Sequence, residues 1–328
     1  MPNPEEALRR KSLPRRVASW VAILIAVVFI YRVAAVYVVR PEACAPPERP
    51  ARPLVDDSRD GREARYPPRS METELTLMTY NIQGHGGLLN SNHMKEVAEV
   101  IRQVDADVVG LQEIHRGTWQ SRFQDQAAEL AKQTGRNVVF GRSFDSYGGS
   151  YGNAVLSRSR IPGSRVHHLP GRGEPRSLLE ATVILNGAPV NVYVTHLTAW
   201  GRFQRASRAA QVACIAEIIE RSEYPFVLLG DFNTTPGNPE ITPLTASPLV
   251  RQAVNPSAAT HILTQQHLDY IFPDSGWDVL HANVLTSGPS DHWPVVARLV
   301  TRIRSDTTQA TDNLTSRQLD AAGQGDRK

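Results

Sequence analysis

The sequence predicts an α/β fold of two β-sheets covered by helices, and three observations carry that prediction. Runs such as ELTLMTYN (74–81) alternate apolar and polar residues with the period of a half-buried strand. The stretches 92–104 and 203–221 lie between such runs and repeat apolar residues at helical spacing. Asn186-Gly187 is a two-residue hairpin signal. Hairpins join antiparallel neighbours and crossover helices join parallel ones, so both sheets are expected to be mixed.

In chain order, strand 74–81 runs into the loop Gln83-Gly84-His85-Gly86-Gly87. Helix 92–104 follows on Met94, Val97, Val100, Ile101 and Val104, and DADVVGLQE (105–113) is a buried strand ending on a carboxylate. A helix over 123–134 is closed by Gly135, the residue that tolerates a left-handed cap. Strands are expected at 137–140, 153–157 and 178–185, and after the hairpin PVNVYVTHL (189–197) returns as another. The longest helix covers 203–221, with Ala210, Cys214 and Ile218 on one side and Val212, Ile215 and Ile219 beside them. PFVLLG (225–230), HLDYIF (267–272) and WPVVARL (293–299) complete the strands, and no solenoid repeat interrupts the series.

Of the 328 residues 41% are hydrophobic, ample for a packed core, which excludes wholesale disorder. Two cysteines, Cys44 and Cys214, are too few for a disulfide framework or a cysteine-built zinc cluster, and Cys214 reads as a small core residue. The net charge of +3 is unevenly spread. Residues 1–70 hold 13 basic and 8 acidic side chains, whereas 71–300 hold 18 and 21. The basic character belongs to the ends of the chain, so the central domain carries no broad basic footprint for nucleic acid.

Before the domain comes an apolar segment. Residues 17–39 (VASWVAILIAVVFIYRVAAVYVV) hold one charge, Arg32, and a bilayer core needs about 20 apolar residues in a helix. A cleaved signal peptide is the poorer reading. Its apolar region usually runs about 7–15 residues, and the downstream site Ala43-Cys44-Ala45 is followed directly by Pro46. Arg9, Arg10, Lys11, Arg15 and Arg16 precede the span while Arg40, Arg49 and Arg52 follow it, which predicts a cytoplasmic amino terminus and a catalytic domain on the extracytoplasmic side of the cell membrane. The expected organisation is therefore a basic stretch over 1–16, a membrane anchor over 17–39, and a charged, Pro-rich linker over 40–70. The domain follows over 71–302, with a polar tail over 303–328.

Function is expected where polar residues end apolar strands: Tyr80-Asn81, Gln112-Glu113, Thr195-His196, Asp231-Phe232-Asn233 and Ser290-Asp291-His292, with Asp269 inside HLDYIF. Singly, each is an ordinary turn former, cap or half-buried histidine. Together they suit metal-assisted attack on a phosphoester. Asn81 and Glu113 offer the oxygen ligands magnesium prefers. His292 suits a base that activates water, and Asp269 can hold its tautomer. Asn233, His196 and Arg176 can donate to non-bridging oxygens. No serine lies in a G-x-S-x-G elbow and no H-E-x-x-H occurs, which disfavours acyl transfer and zinc hydrolysis.

TYNIQG, LQE, YGNAVLSR, VTHL, LLGDFN, LDYIF and SDHWPV occur in that order over residues 72–300. They resemble the endonuclease/exonuclease/phosphatase superfamily. The resemblance implies a four-layered α/β/β/α sandwich with two mixed β-sheets and hydrolysis of phosphoesters with magnesium, or manganese in its place. By the same resemblance Asn81, Glu113 and Asp291 are linked to the metal, and His196 contacts phosphate. Asp231 and Asn233 orient nucleophile and phosphate, Asp269 holds the catalytic His292, and Asn153 and Arg176 support the phosphate. Tyr80 and Gln83 depart from the Trp and Asp of the abasic-site branch.

The superfamily serves nucleic acids, lipids and soluble phosphates, so it does not choose the substrate. The expectation is a membrane-tethered phosphodiesterase acting on a lipid head group or another non-nucleic phosphodiester. The alternatives are a surface nuclease acting on DNA and a non-catalytic phosphate-binding module. Arg202, Arg205 and Arg208, at helical spacing near His196, read as a solvated helix face or else as the wall of a nucleic-acid groove.

Overall fold

The computed structural model describes Ile23, Cys44 and residues 73–85, 93–146, 148–199, 204–253 and 257–301. The expected segments 1–16, 17–39 (apart from Ile23), 40–70 (apart from Cys44) and 303–328 lie outside the described residues, as does Arg202. Among the described residues no helix is long and apolar enough to cross a membrane.

Among the described residues eleven strands form two mixed sheets. The six-stranded sheet contains β1 (Glu74–Asn81), β2 (Val108–Arg116), β3 (Asn137–Ser146), β4 (Gly149–Ser157), β10 (Trp277–Val284) and β11 (Val295–Thr301), in the order β10-β11-β1-β2-β4-β3. The five-stranded sheet runs β5 (Gly163–His168), β6 (Ser177–Leu185), β7 (Ala188–His196), β8 (Phe226–Asp231) and β9 (Asp269–Pro273). The inner faces meet in one apolar cluster, where Leu77, Val108 and Val155 of the first sheet pack with Val192, Val194 and Leu229 of the second.

Helices cover the outer faces. Helices α1 (Met94–Val104) and α2 (Gln126–Thr134) lay Val97, Ile101 and Leu130 against Met78, Val109 and Leu156 of the six-stranded sheet. Helix α3 (Arg205–Glu220) lays Val212, Ile215 and Ile219 against Tyr193, Leu228 and Phe272 of the other. The layers are therefore α/β/β/α, as expected. Asp125 caps α2 by accepting from Ala128 N at 3.0 Å, and Gly135 closes it in the left-handed region at φ 66°. Asn186 and Gly187, at φ 50° and 84°, turn β6 into β7 as their dipeptide predicts.

Topology gathers the polar strand ends. Strand β1 is parallel to β2 across α1, and β7 is parallel to β8 across α3, so Asn81 and Glu113 emerge near one pair of carboxyl ends and His196 and Asp231 at the other. Strand β9 runs antiparallel to β8 and starts at Asp269, directly paired with Asp231, rather than carrying Asp269 inside it. Strand β11 runs antiparallel to β1, and its Val295 pairs with Thr79, which brings the preceding Asp291-His292 to the same end.

The two cysteines, too few for a disulfide framework, are joined to each other: Cys44 and Cys214 form a disulfide across 170 residues of sequence, a pairing the sequence does not anticipate. Cys214 is a buried residue of α3, as its spacing suggests, but it is covalently bound to the segment before the domain.

Candidate active site

Each strand end presents its side chain for a local reason. Glu113 takes φ 61° at a bulge, where the β2–β4 register shifts between Leu111 and Ile114. Bulges commonly re-aim a side chain beside an active site. Gln83 and Asn233 also lie in the left-handed region, at φ 49° each. Gly84 passes so close to Glu113 that a Cβ there would lie 2.0 Å from its carbonyl oxygen, so only glycine fits.

Asn81 is the hub between the sheets. Its Nδ2 donates to Glu113 Oε1 and to Asp231 Oδ2, both at 3.1 Å. Its Oδ1 accepts from Gln83 N at 3.1 Å, and Gln83 Nε2 donates to Asp291 Oδ2 at 2.9 Å. Position 83 thus orients a carboxylate where the abasic-site branch places one. Ser290 Oγ donates to the Asn81 carbonyl at 2.7 Å and accepts from His292 N at 3.2 Å, locking the Asp291-His292 loop onto β1.

Across from this group, His292 Nδ1 lies 2.8 Å from Asp269 Oδ2, and its Nε2 lies 3.7 Å from Asp231 Oδ2. Burial opposes the imidazolium, yet Asp269 and Asp231 outweigh it and hold the ring's pKa up at about 10. Asp231 is itself pushed up to about 7, by burial and by the neighbouring Asp269, against the pull of His292. His196 Nε2 stands 3.5 Å from Asp231 Oδ2 and its Nδ1 3.2 Å from the Tyr151 hydroxyl. Burial, Arg176 and His292 hold His196 well below the ordinary imidazole range, and burial keeps Tyr151 protonated. The tautomer that satisfies both has Tyr151 donating to Nδ1 and the ring proton on Nε2, toward Asp231.

Asn233 N donates to Asp231 Oδ1 at 2.8 Å, and its Nδ2 to the Leu197 carbonyl at 3.0 Å. Arg176, 5% exposed, keeps an ion pair with Glu174 at 3.1 Å, while its buried Nε and Nη1 have no hydrogen-bond partner among the described residues. That leaves donors free for an anion. Asn153 differs: its Nδ2 donates to the Ser177 and Val194 carbonyls at 3.2 and 3.4 Å, pinning β4 to the facing sheet. Asn81, Glu113, Asp231, Asp269, Asp291, His292, His196 and Asn233 therefore converge, with Arg176 joined through Tyr151.

Tyr151, inside YGNAVLSR, carries no functional signal in the sequence, whereas Ser290 and Gln83, both marked there, serve to position their neighbours. Of the two described arginines at helical spacing, Arg205 keeps the solvated-face reading and Arg208 departs from it. Arg208 is 2% exposed and bonds Glu240 Oε1 at 3.1 Å and the Thr198 carbonyl at 3.1 Å, so it is neither solvated nor open to nucleic acid. Arg205 is exposed and donates to Asn238 Oδ1 at 3.0 Å.

The site suits a divalent cation. Four carboxylates, those of Glu113, Asp231, Asp269 and Asp291, gather in a largely buried space, and Asp269 Oδ1 has no hydrogen-bond partner among the described residues. Glu113 is raised by removal from water and by the Asp291 charge, which outweigh the Asn81 hydrogen bond. Asp231, Asp269 and His292 also offer ligand atoms within 4.8 Å of one another. Concentrated buried negative charge on hard oxygen donors is what a divalent cation relieves.

Two facing mixed sheets with carboxylates, imidazoles and amides at their strand ends define a phosphoester hydrolase. The chain belongs to the endonuclease/exonuclease/phosphatase family, whose pattern matches residues 78–292. Its members are phosphoester hydrolases, generally dependent on a divalent metal. A crystal structure of an endonuclease/exonuclease/phosphatase from Beutenbergia cavernae is similar at 26% identity and a TM-score of 0.57, over 70% of this chain and 72% of that one. A mannosyl-6-phosphatase of Bacteroides thetaiotaomicron shares the fold at 18% identity and 0.55, over 69% of this chain and 99% of that one. The D. rerio TDP2 complexed with single-strand DNA product shares it at 18% and 0.58, over 69% and 98%. No curated protein matches the chain.

Proposed function

We propose that this protein is a magnesium-dependent phosphodiesterase, held to the outer face of the cell membrane by residues 17–39, that hydrolyses a lipid head group or another non-nucleic phosphodiester. The observation that carries the reaction is the His292–Asp269 pair facing Asp231, with Asn81 and Glu113 opposite. In this reading His292 takes the proton from the attacking water and Asp269 keeps its Nδ1 side occupied. Asp231 and Asn233 orient the water and the phosphate, while His196 Nε2–H and the free donors of Arg176 meet the non-bridging oxygens, where charge builds. Asn81, Glu113 and Asp291 would hold the cation. When bound, magnesium supplies Lewis acidity to a phosphoryl oxygen and positive charge that offsets the carboxylates holding His292 protonated.

Two observations support the location and the substrate class. A disulfide persists in oxidising compartments, which agrees with export of the domain. Among the described residues, Arg208 is engaged by Glu240 and Arg176 in part by Glu174, and residues 71–300 hold 18 basic against 21 acidic side chains, which favours a substrate other than a nucleic-acid backbone. The test is magnesium-dependent turnover of phospholipid vesicles, a chromogenic phosphodiester and plasmid DNA at two salt concentrations, together with protease treatment of intact cells carrying a carboxyl-terminal tag. Plasmid nicking that collapses at high salt without lipid turnover makes the protein a nuclease. A tag protected until lysis reverses the topology.

A further inference from the structure

The disulfide changes what the segment before the domain does. With residues 17–39 in the bilayer, which rests on the reading above, the uninterrupted route to the domain runs from Val39 to Thr73, 34 residues, and can extend to roughly 110–120 Å. Through Cys44 the route is five residues, at most roughly 18 Å. The bond shortens the leash about sevenfold in chain length and moves its attachment from the start of β1 to the middle of α3.

That attachment point is tied to the active site. Cys214 lies three residues past Gln211, about 4.5 Å along the helix, and six past Arg208, about 9 Å. Gln211 Nε2 donates to Thr198 Oγ1 at 2.8 Å, and Arg208 Nη1 donates to the Thr198 carbonyl at 3.1 Å. Thr198 follows His196 by two residues. Cys44 also packs against the apolar cluster beneath α3, so the covalent link joins a rigid helix and not a loop.

We propose that the Cys44–Cys214 disulfide is a specificity device: it holds the flank of the active site beside the membrane surface and directs the enzyme to phosphodiesters that reside in its own bilayer. Effective concentration falls with tether length as about the one-half power for a planar target and the three-halves power for a point target. Release of the disulfide therefore lowers turnover of bilayer-resident substrate by roughly threefold to twentyfold while leaving turnover of a soluble phosphodiester unchanged.

The experiment uses the full chain in phosphatidylcholine/phosphatidylglycerol vesicles, with Cys44→Ser and Cys214→Ser variants. Because loss of a disulfide can loosen the fold, a third variant keeps both cysteines and inserts about 30 Gly/Ser residues after Val39, lengthening the leash alone. Turnover of vesicle phospholipid, turnover of a soluble chromogenic phosphodiester, and energy transfer from a dye on the domain to a dye in the bilayer are read together. The expected result is unchanged soluble turnover in all three variants, with reduced lipid turnover and reduced energy transfer in each. A Gly/Ser variant that floats with vesicles and keeps full lipid turnover and energy transfer overturns the inference alone. Wild-type protein that does not float with vesicles overturns the anchor reading, and the inference with it.

Discussion

His292 Nδ1 and Asp269 Oδ2 lie 2.8 Å apart although 23 residues separate them, because β9 begins at Asp269 and the loop carrying His292 is bolted to β1 by Ser290. Asp269 is fully buried and its second oxygen has no hydrogen-bond partner among the described residues, so His292 is the side chain it holds. Asp269→Asn keeps the shape and removes the charge, and the imidazole is then free to take the wrong tautomer. We expect turnover to fall by about 10²–10⁴, with substrate KM little changed. Steady-state kinetics on the purified domain check this, and an Asn variant within threefold of wild type rejects the pairing as catalytic.

His292→Ala and Asp231→Asn should each remove most turnover without unfolding the domain. Both side chains are buried at strand ends and make their main contacts within the site, so the cores of the two sheets stay intact. Asp231 is held at about 7 by burial, and replacing it with a neutral amide removes an unfavourable buried charge. Circular dichroism melts alongside activity separate the outcomes: inactivity with a native melt supports the assignment, and a collapsed melt means the residues are structural.

Glu113→Gln should act through the metal. The carboxylate is half-buried and held by Asn81 at 3.1 Å, and the amide keeps volume while losing a hard anionic ligand. The magnesium concentration for half-maximal activity should rise at least tenfold, with activity partly recovered in excess metal. Isothermal titration of the unliganded protein with magnesium gives an independent reading, and an unchanged affinity removes Glu113 from the ligand set.

What could be read from sequence divides along physical lines. Strand β1 is legible to the residue because it alternates, and the hairpin at Asn186-Gly187 because its dihedrals demand that dipeptide. Strands β5 and β10 carry a weak sequence signal because each is a half-exposed edge strand, and in β10 a register shift between Val279 and His281 interrupts the alternation that turns Trp277, Val279, Ala282 and Val284 toward the core. Polar residues ending apolar strands mark most of the site, because burial of such groups needs a reason beyond folding. Tyr151 escapes notice because its partner His196 is 45 residues away in the other sheet, and the Cys44–Cys214 bond because 170 residues separate its ends.

Arg208 and Glu240 form the ion pair that sequence spacing most misrepresents. Their side chains are each 3% exposed, Nη2 meets Oε1 at 3.1 Å, and the arginine also donates to the Thr198 carbonyl. A buried pair of this kind contributes little net stability beyond a well-packed apolar alternative, but removing Arg208 leaves the buried Glu240 carboxylate to the looser Arg205 contact at 3.9 Å, at a cost toward the lower end of about 3–5 kcal/mol. Arg208→Ala should therefore lower stability by that amount, while Arg205→Ala, at an exposed position, should cost about 1 kcal/mol or less. Arg208→Met combined with Glu240→Leu should recover most of the loss. A nucleic-acid role predicts the opposite ranking in binding: Arg208→Ala would flatten the salt dependence of DNA affinity with no change in melting. Urea unfolding curves for the four proteins, read beside plasmid retention at two salt concentrations, decide between a structural clamp on α3 and a phosphate contact.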